Sequence, residues 1–328
     1  MSAQKGIGRL IQVGLAKEGT RGTAESSATY WTPWSDLTLD EAKEFATDTQ
    51  AYGIIEDSVN MTETKRYAKG SLQGNIGDET FGLILYSMFG SLATAGSGAP
   101  YTHTFTVGES AQHQSMTFFM HDPLAAQDYT YANGVIGKLE INAALKQFIN
   151  YNATIMALSG ATADSFSPST TAENRFVPQY LTATFADSIS GLGDGTVVAL
   201  KSVKLTINSS VESQDVLGSL DPADFLNQEF SVEGTLEAIW KGESDFKTAF
   251  MGPTPQAIEL DFLNSDVTIG DSSHPELKIT IAKATYQELG LAHKVKDLQY
   301  QTLKFKGVYS VSDTSMLKAV LTNSVASY

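Results

Sequence analysis

The chain has no cysteine among its 328 residues, which removes disulfides, thiolate metal sites and a cysteine nucleophile together. Basic residues are scarce. There are 22 Lys and Arg against 37 Asp and Glu, for a net charge of -15. A protein that grips nucleic acid by its phosphates needs a basic patch, so this balance argues against that class. An acidic surface repels a polyanion and keeps a subunit soluble. No apolar run reaches 18 residues, so nothing reads as a membrane-spanning helix. The opening "MSAQKGIGRLIQVGLAKEGTRG" has no apolar core of signal-peptide length.

Catalytic patterns are also missing. The five histidines, His103, His113, His121, His274 and His293, form no metal-binding motif. His113 and His121 share a parity, but eight residues of strand hold them roughly 26 Å apart. They read as exposed strand or loop residues. "GLGDGT" at 191–196 is followed by strand-like "VVALKSVKLTIN" rather than a helix, so it reads as a hairpin turn and not as a phosphate loop. "GDSSHPE" at 270–276 puts Ser, His and acids side by side, which is not triad geometry. We expect no enzyme, no cofactor and no bound metal.

What is present is period-two alternation. Phe230, Val232, Gly234, Leu236, Ala238 and Trp240 take one face of a strand, and Ser231, Glu233, Thr235 and Glu237 the other. Ala68, Gly70, Leu72, Gly74 and Ile76 match the first set. Such strands put one wall on a core and the other in water. Helical spacing is rare. Phe81, Ile84, Leu85 and Met88 fit it, with Asp78 and Glu79 at the start and Gly90 at the cap. Phe246, Ala249 and Phe250 repeat that pattern about one turn shorter, ending at Gly252.

These pieces recur in order. "GSLQGNIGDETFGLILYSMFG" at 70–90 matches "GTLEAIWKGESDFKTAFMG" at 234–252. "LTLD" at 37–40 matches "LTIN" at 205–208, and "QSMTFFMHD" at 114–122 matches "QAIELDFLN" at 256–264. "KLEINAALKQF" at 138–148 matches "KITIAKATYQEL" at 278–289, and "INYNATIMALSG" at 149–160 matches "QYQTLKFKGVYS" at 299–310. The expected organisation is an N-terminal arm (1–30), a first mostly-β domain (31–160), a Ser/Thr/Pro-rich linker (161–179) and a second such domain (180–328). Each domain carries one short helix. The first has an insert at 91–113, and 180–203 reads as an added hairpin. A polar acidic loop recurs at 41–57 and 209–227, which marks it as partner-contacting.

The arm "GRLIQVGLAKEGTRGTA", with its Val-Gly-Leu-Ala-x-Glu-x-x-x-Gly-Thr run before the Trp-containing "YWTPWSDLTLD", resembles the opening of tailed-phage (siphovirus) major tail tube proteins. "YAKGSLQGNIGDETFGLILYSMFGSL" is similar to that family's Gly-rich strand and helix. The resemblance is clearest over 6–92. It implies β-sandwich or barrel domains in rings that stack into a virion tail, with DNA passing down the lumen without specific binding. It also implies other tail proteins as partners, no membrane, and assembly in the host bacterial cytoplasm. Most such subunits carry one tube domain in hexameric rings. Two in one chain suggest a homo-trimer with pseudo-sixfold symmetry.

Within that reading the polar sides of the strands face the lumen: Asp40, Lys138, Glu140, Asn142, Lys204, Thr206 and Asn208. The acids of the two polar loops, Glu41, Glu44, Asp48, Glu56, Asp57, Glu212, Asp215 and Asp221, become inter-ring contacts. The rival class is a soluble tandem β-sandwich that binds carbohydrate or a receptor. It would cluster exposed aromatics on one loop face, whereas Trp31, Trp34 and Trp240 lie in or near strands.

Overall fold

The computed structural model describes residues 6–124, 127–163, 166–170, 172–239, 247, 250–252, 254–270, 272–292, 295 and 299–328. The shorter second helix expected at 246–250, Trp240 and His293 lie outside them in whole or in large part. The chain is mostly β, in large antiparallel sheets that do not close into a barrel.

The first half contains β1 (Gln12–Lys17), β2 (Tyr30–Thr32), β3 (Asp36–Asp48), β4 (Asn60–Asn75), α1 (Phe81–Phe89), β5 (Gly90–Ala95), β6 (Tyr101–Val107), β7 (Met116–His121), β8 (Asp128–Ala144), β9 (Asn150–Ala157) and β10 (Ala161–Ala163). The second contains β11 (Leu181–Ala186), β12 (Thr196–Val198), β13 (Leu200–Asn208), β14 (Glu212–Gln214), β15 (Asp224–Leu226), β16 (Ser231–Ile239), β17 (Gln256–Leu263), β18 (Glu276–Ala292), β19 (Tyr300–Val308) and β20 (Leu317–Asn323).

Strand pairing repeats between the halves. β1 pairs with β2 and β7, and β11 with β12 and β17. β4 joins β3 to β9, and β16 joins β13 to β19. β8 takes β7, β9 and β10, and β18 takes β17, β19 and β20. Even the irregularities coincide. A bulge at Ile136/Lys138 in β8·β9 matches one at Tyr286/Glu288 in β18·β19. Another at Met116/Phe118 in β7·β8 matches one at Gln256/Ile258 in β17·β18. Bulges bend a strand at a chosen place, so these two long strands turn alike.

The pairing also corrects several sequence matches. Gly70 and Gly234 are equivalent, as the sequence suggests, and so are Ile155 and Phe305. Leu39, however, pairs with Gly70 as Leu205 does with Gly234, so "LTLD" and "LTIN" align two residues apart from the sequence match. Lys138 corresponds to Glu288, not Lys278, and Met116 to Gln256. All three displacements are even, and a period-two pattern is unchanged by an even slip.

The arm and the added hairpin prove to be the same element. Residues 12–17 form a core strand, with Leu15 fully buried, rather than an extended arm. The linker is stitched down as well. Phe176 is buried, its amide donates to Ile76 O, and the Ile149 amide donates to Phe176 O. Glu173 accepts from the Thr80 amide at the start of α1 (2.6 Å). That is the role expected of Asp78 or Glu79; Asp78 instead accepts two bonds from Asn174. Gly90 caps α1 at φ 81°, as expected. The helix is buried on nearly every side in one core that spans both halves. "GLGDGT" falls in a short 3-10 turn between β11 and β12, a hairpin connection as read.

Two histidines are interior, not exposed. His103 has its ring nitrogens engaged by Thr94 and by Val325 O and Asn323, and burial pulls its pKa down. His113 reaches Met88 O and Gly108 O. With both ring nitrogens of each engaged inside the protein, neither histidine has a nitrogen left for a metal, and the rings tie core elements together instead.

Candidate assembly surface

Antiparallel ladders run β3-β4-β9-β8-β13-β16-β19-β18, an eight-strand sheet with four strands from each half. The joint is β8·β13, where Glu140 faces Thr206, Lys138 faces Asn208 and Asn142 faces Lys204. Directly opposed residues share a face. Six of the seven strand residues singled out from the sequence therefore meet here. Asp40 joins them on the same face through Lys69 of β4 and Met156 of β9. The other face carries Leu139, Ile141, Val203, Leu205 and Ile207, all buried.

The polar face is charge-paired. Glu140 accepts from Lys138 at 2.7 Å and lies 3.3 Å from Lys204, a clamp across the joint. The Lys138 bond holds the Glu140 carboxyl below its usual range, against partial burial and with help from Lys204. Farther along, Lys201 meets Glu237 at 3.1 Å and Lys304 meets Glu288 at 2.6 Å. Acids and lysines interleave, so the face is less negative than the chain's net charge suggests.

The acidic residues assigned to polar loops fall differently from expectation. Glu41, Glu44 and Asp48 are in β3, because β3 and β4 continue as a long hairpin with its tip at 49–59. Glu41 accepts from the Gly160 amide (2.7 Å), and Asp48 from Gln50 N and Tyr52 OH. Glu56 and Asp57 are at the tip, exposed. Glu212 opens β14 and accepts from Gln228. Asp215 takes Lys65 at 2.9 Å and Asp221 takes Arg66 at 2.8 Å, with Glu44 3.6 Å from Lys65. Burial works against the Lys65 charge, yet Asp215 and Glu44 hold its pKa above the ordinary value. The 209–227 segment is thus held against β4 within one chain, and Lys65 bridges it to Glu44 of the first polar segment. The tip also exposes Tyr52, Ile54, Ile55 and Val59, apolar groups that the acidic reading of the loop passed over.

Sequence reasoning missed a tie that the "AKEGTRG" motif makes. Glu18 is buried and accepts from Gly22 N, Ser115 Oγ, Thr117 Oγ1 and Asn133 N. Arg21 donates to Asp224 Oδ1 (2.7 Å), Phe225 O (2.6 Å) and His113 O. Burial pushes the Asp224 carboxyl up, but bonds from Arg21, Gln112, Asn133 and the Phe225 amide outweigh it and hold the pKa below normal. One side chain thereby joins the first strand's turn to the second half. The signal available was two charged residues in a Gly-rich turn, which reads equally well as solvated.

The family model described as phage tail tube protein matches residues 8–294 of this chain. No curated protein matches it.

Proposed function

The chain belongs to the phage tail tube protein family, a family of structural virion proteins, and from that premise we propose that it is a major tail tube subunit whose stacked rings conduct DNA during ejection. The observation that carries this reading is the eight-strand sheet, apolar on one face and charge-paired on the other. The polar face, with Asp40, Lys138, Glu140, Asn142, Lys204, Thr206 and Asn208, lines the lumen. A wall of paired charges offers DNA neither a basic track nor a strong barrier.

Each chain supplies two tube domains, 31–160 and 180–328, joined by 161–179. Recurrence of the β1·β7 pairing as β11·β17 favours counting β1 with the first domain. A ring then needs three chains for six similar units. The β3·β4 hairpin tip, with Glu56, Asp57 and its exposed apolar residues, reaches the next ring together with the 209–227 segment. Other tail proteins cap the tube, assembly takes place in the host cytoplasm, and no catalysis is assigned.

Electron microscopy of purified protein tests this. Stacked rings with threefold end views are expected. Protein that stays monomeric under tube-forming conditions, with no rings at any concentration, would overturn it.

A further inference from the structure

Among the described residues, one outermost strand is left unguarded. β5 pairs with β6 on one side and has no strand on the other. Natural edges are blunted by shortness, charge, Pro or a bulge. The remaining outermost strands follow that rule. β2, β10, β12, β14 and β15 run three residues each. β3 carries Asp36, Asp40, Glu41, Glu44 and Asp48, and the second half of β18 carries Lys283 and Glu288. β5 has six residues, "GSLATA", with no charge, no Pro and no break in its register with β6. Ser91, Ala93, Thr94 and Ala95 are exposed.

The register shows which groups are free. One step beyond the Gly90↔Val107 pair, the Gly108 amide donates to Phe89 O at 2.7 Å. Antiparallel pairs alternate between bonded and unbonded. Ser91 and Ala93 therefore bond to β6, and the amides and carbonyls of Leu92 and Thr94 point to the open side. The Gly90 amide is taken by Tyr86 O at the helix cap. Two donors and two acceptors at alternate residues make a template for a strand. Leu92, half-buried against the core, offers that strand an apolar neighbour on one face. Ala93 and Ala95 leave the other face flat.

Resting on the tail tube reading, we propose that β5 is a docking edge for an extended segment of a different tail protein, which joins the sheet as a strand beside β5. Backbone bonds to Leu92 and Thr94 carry the recognition, with an apolar residue against Leu92 and small or β-branched residues beside Ala93. Two arguments point away from a second copy of this chain. Contacts among the similar units of a ring recur in both halves, and β5 has no counterpart: only 253–255 separate Gly252 from β17, too few for a hairpin. Pairing of β5 with another β5 is isologous and needs a two-fold axis, which stacked rings facing one way lack. The edge occurs once per chain, so the partner meets a three-chain ring three times.

Hydrogen exchange on the unmodified protein tests this in three samples: the free subunit, tubes grown from this chain alone, and intact virion tails. The Leu92 and Thr94 amides should exchange freely in the first two and slow by more than about tenfold in intact tails. The Ser91 and Ala93 amides should be protected in all three. Thr94→Pro removes one outward donor and breaks no bond to β6. Tubes of that variant should form normally, and Leu92 should return to free exchange in its tails.

Free exchange at Leu92 and Thr94 in intact tails, or protection of Leu92 that survives Thr94→Pro, overturns the docking edge and leaves the tail tube reading standing. Protection already present in tubes of this chain alone gives the edge to a second copy and overturns the proposal as well. Failure of the unmodified protein to form rings, or its absence from virion tails, rejects the tail tube reading and the edge together.

Discussion

Replacing Arg21 by Met removes the one group that holds Asp224, Phe225 O and His113 O together. The Arg21 side chain is 20% exposed and the Asp224 side chain 9%. Breaking a buried ion pair from one side typically costs about 3–5 kcal/mol, and the residual exposure of Arg21 places this one near ~3. The pH dependence is diagnostic. In the native chain the Asp224 carboxyl is held below its unfolded value. Its contribution is therefore present above about pH 3.9 and fades as pH falls through the depressed folded value. In Arg21→Met, burial still pushes the folded value up and the bonds from Gln112, Asn133 and the Phe225 amide still pull it down, so losing the Arg21 bond raises it relative to the native chain. The variant's carboxylate then gains a proton at a higher pH than the native one, and the deficit shrinks on acidification by up to about 1.4 kcal/mol per unit. Urea unfolding of the unassembled subunit at pH 7, 5.5 and 4 measures both effects. A loss under about 1 kcal/mol at pH 7, or a loss that grows on acidification, would refute the account of this tie.

Gly70→Ala puts a methyl carbon 2.0 Å from the Thr38 carbonyl oxygen, which belongs to the backbone of β3 and cannot swing aside; thermal unfolding should show a loss of about 3 kcal/mol or more. Glu140→Gln should cost only about 1 kcal/mol, because Lys138 and Lys204 are half-exposed, and less in high salt. Since the Glu140 pKa is lowered, the difference from the native chain should vanish as pH falls below about 4. Asp261 behaves oppositely: burial, with Glu276 nearby and against Lys278, pushes its pKa up to about 6. The native chain should lose stability as pH rises from about 4 through 6, and Asp261→Asn should lack that slope in urea titrations.

Strand alternation was legible because each strand has one wall in the core, and that pattern gave the fold class and the face shared by Glu140 and Thr206. The repeat was legible in order but not in register: Lys138 was matched to Lys278 because an even slip preserves every apolar position. The equivalence of β1 with β11 was hidden by differing connections, 18–29 in one half and 187–195 in the other. The β3·β4 hairpin was read as loop beyond Asp40 because both of its sides face solvent there and alternation disappears. Arg21 and Glu18 were invisible as a tie, since their partners at Asp224, Ser115 and Asn133 are distant in sequence.

A cryo-electron reconstruction of the assembled tube tests the central claim most directly, because it gives ring symmetry and wall orientation together. The account predicts three chains per ring with pseudo-sixfold symmetry and the Lys138–Glu140–Lys204 clamp on the inner wall. Six chains per ring, or that clamp on the outer surface, would contradict it.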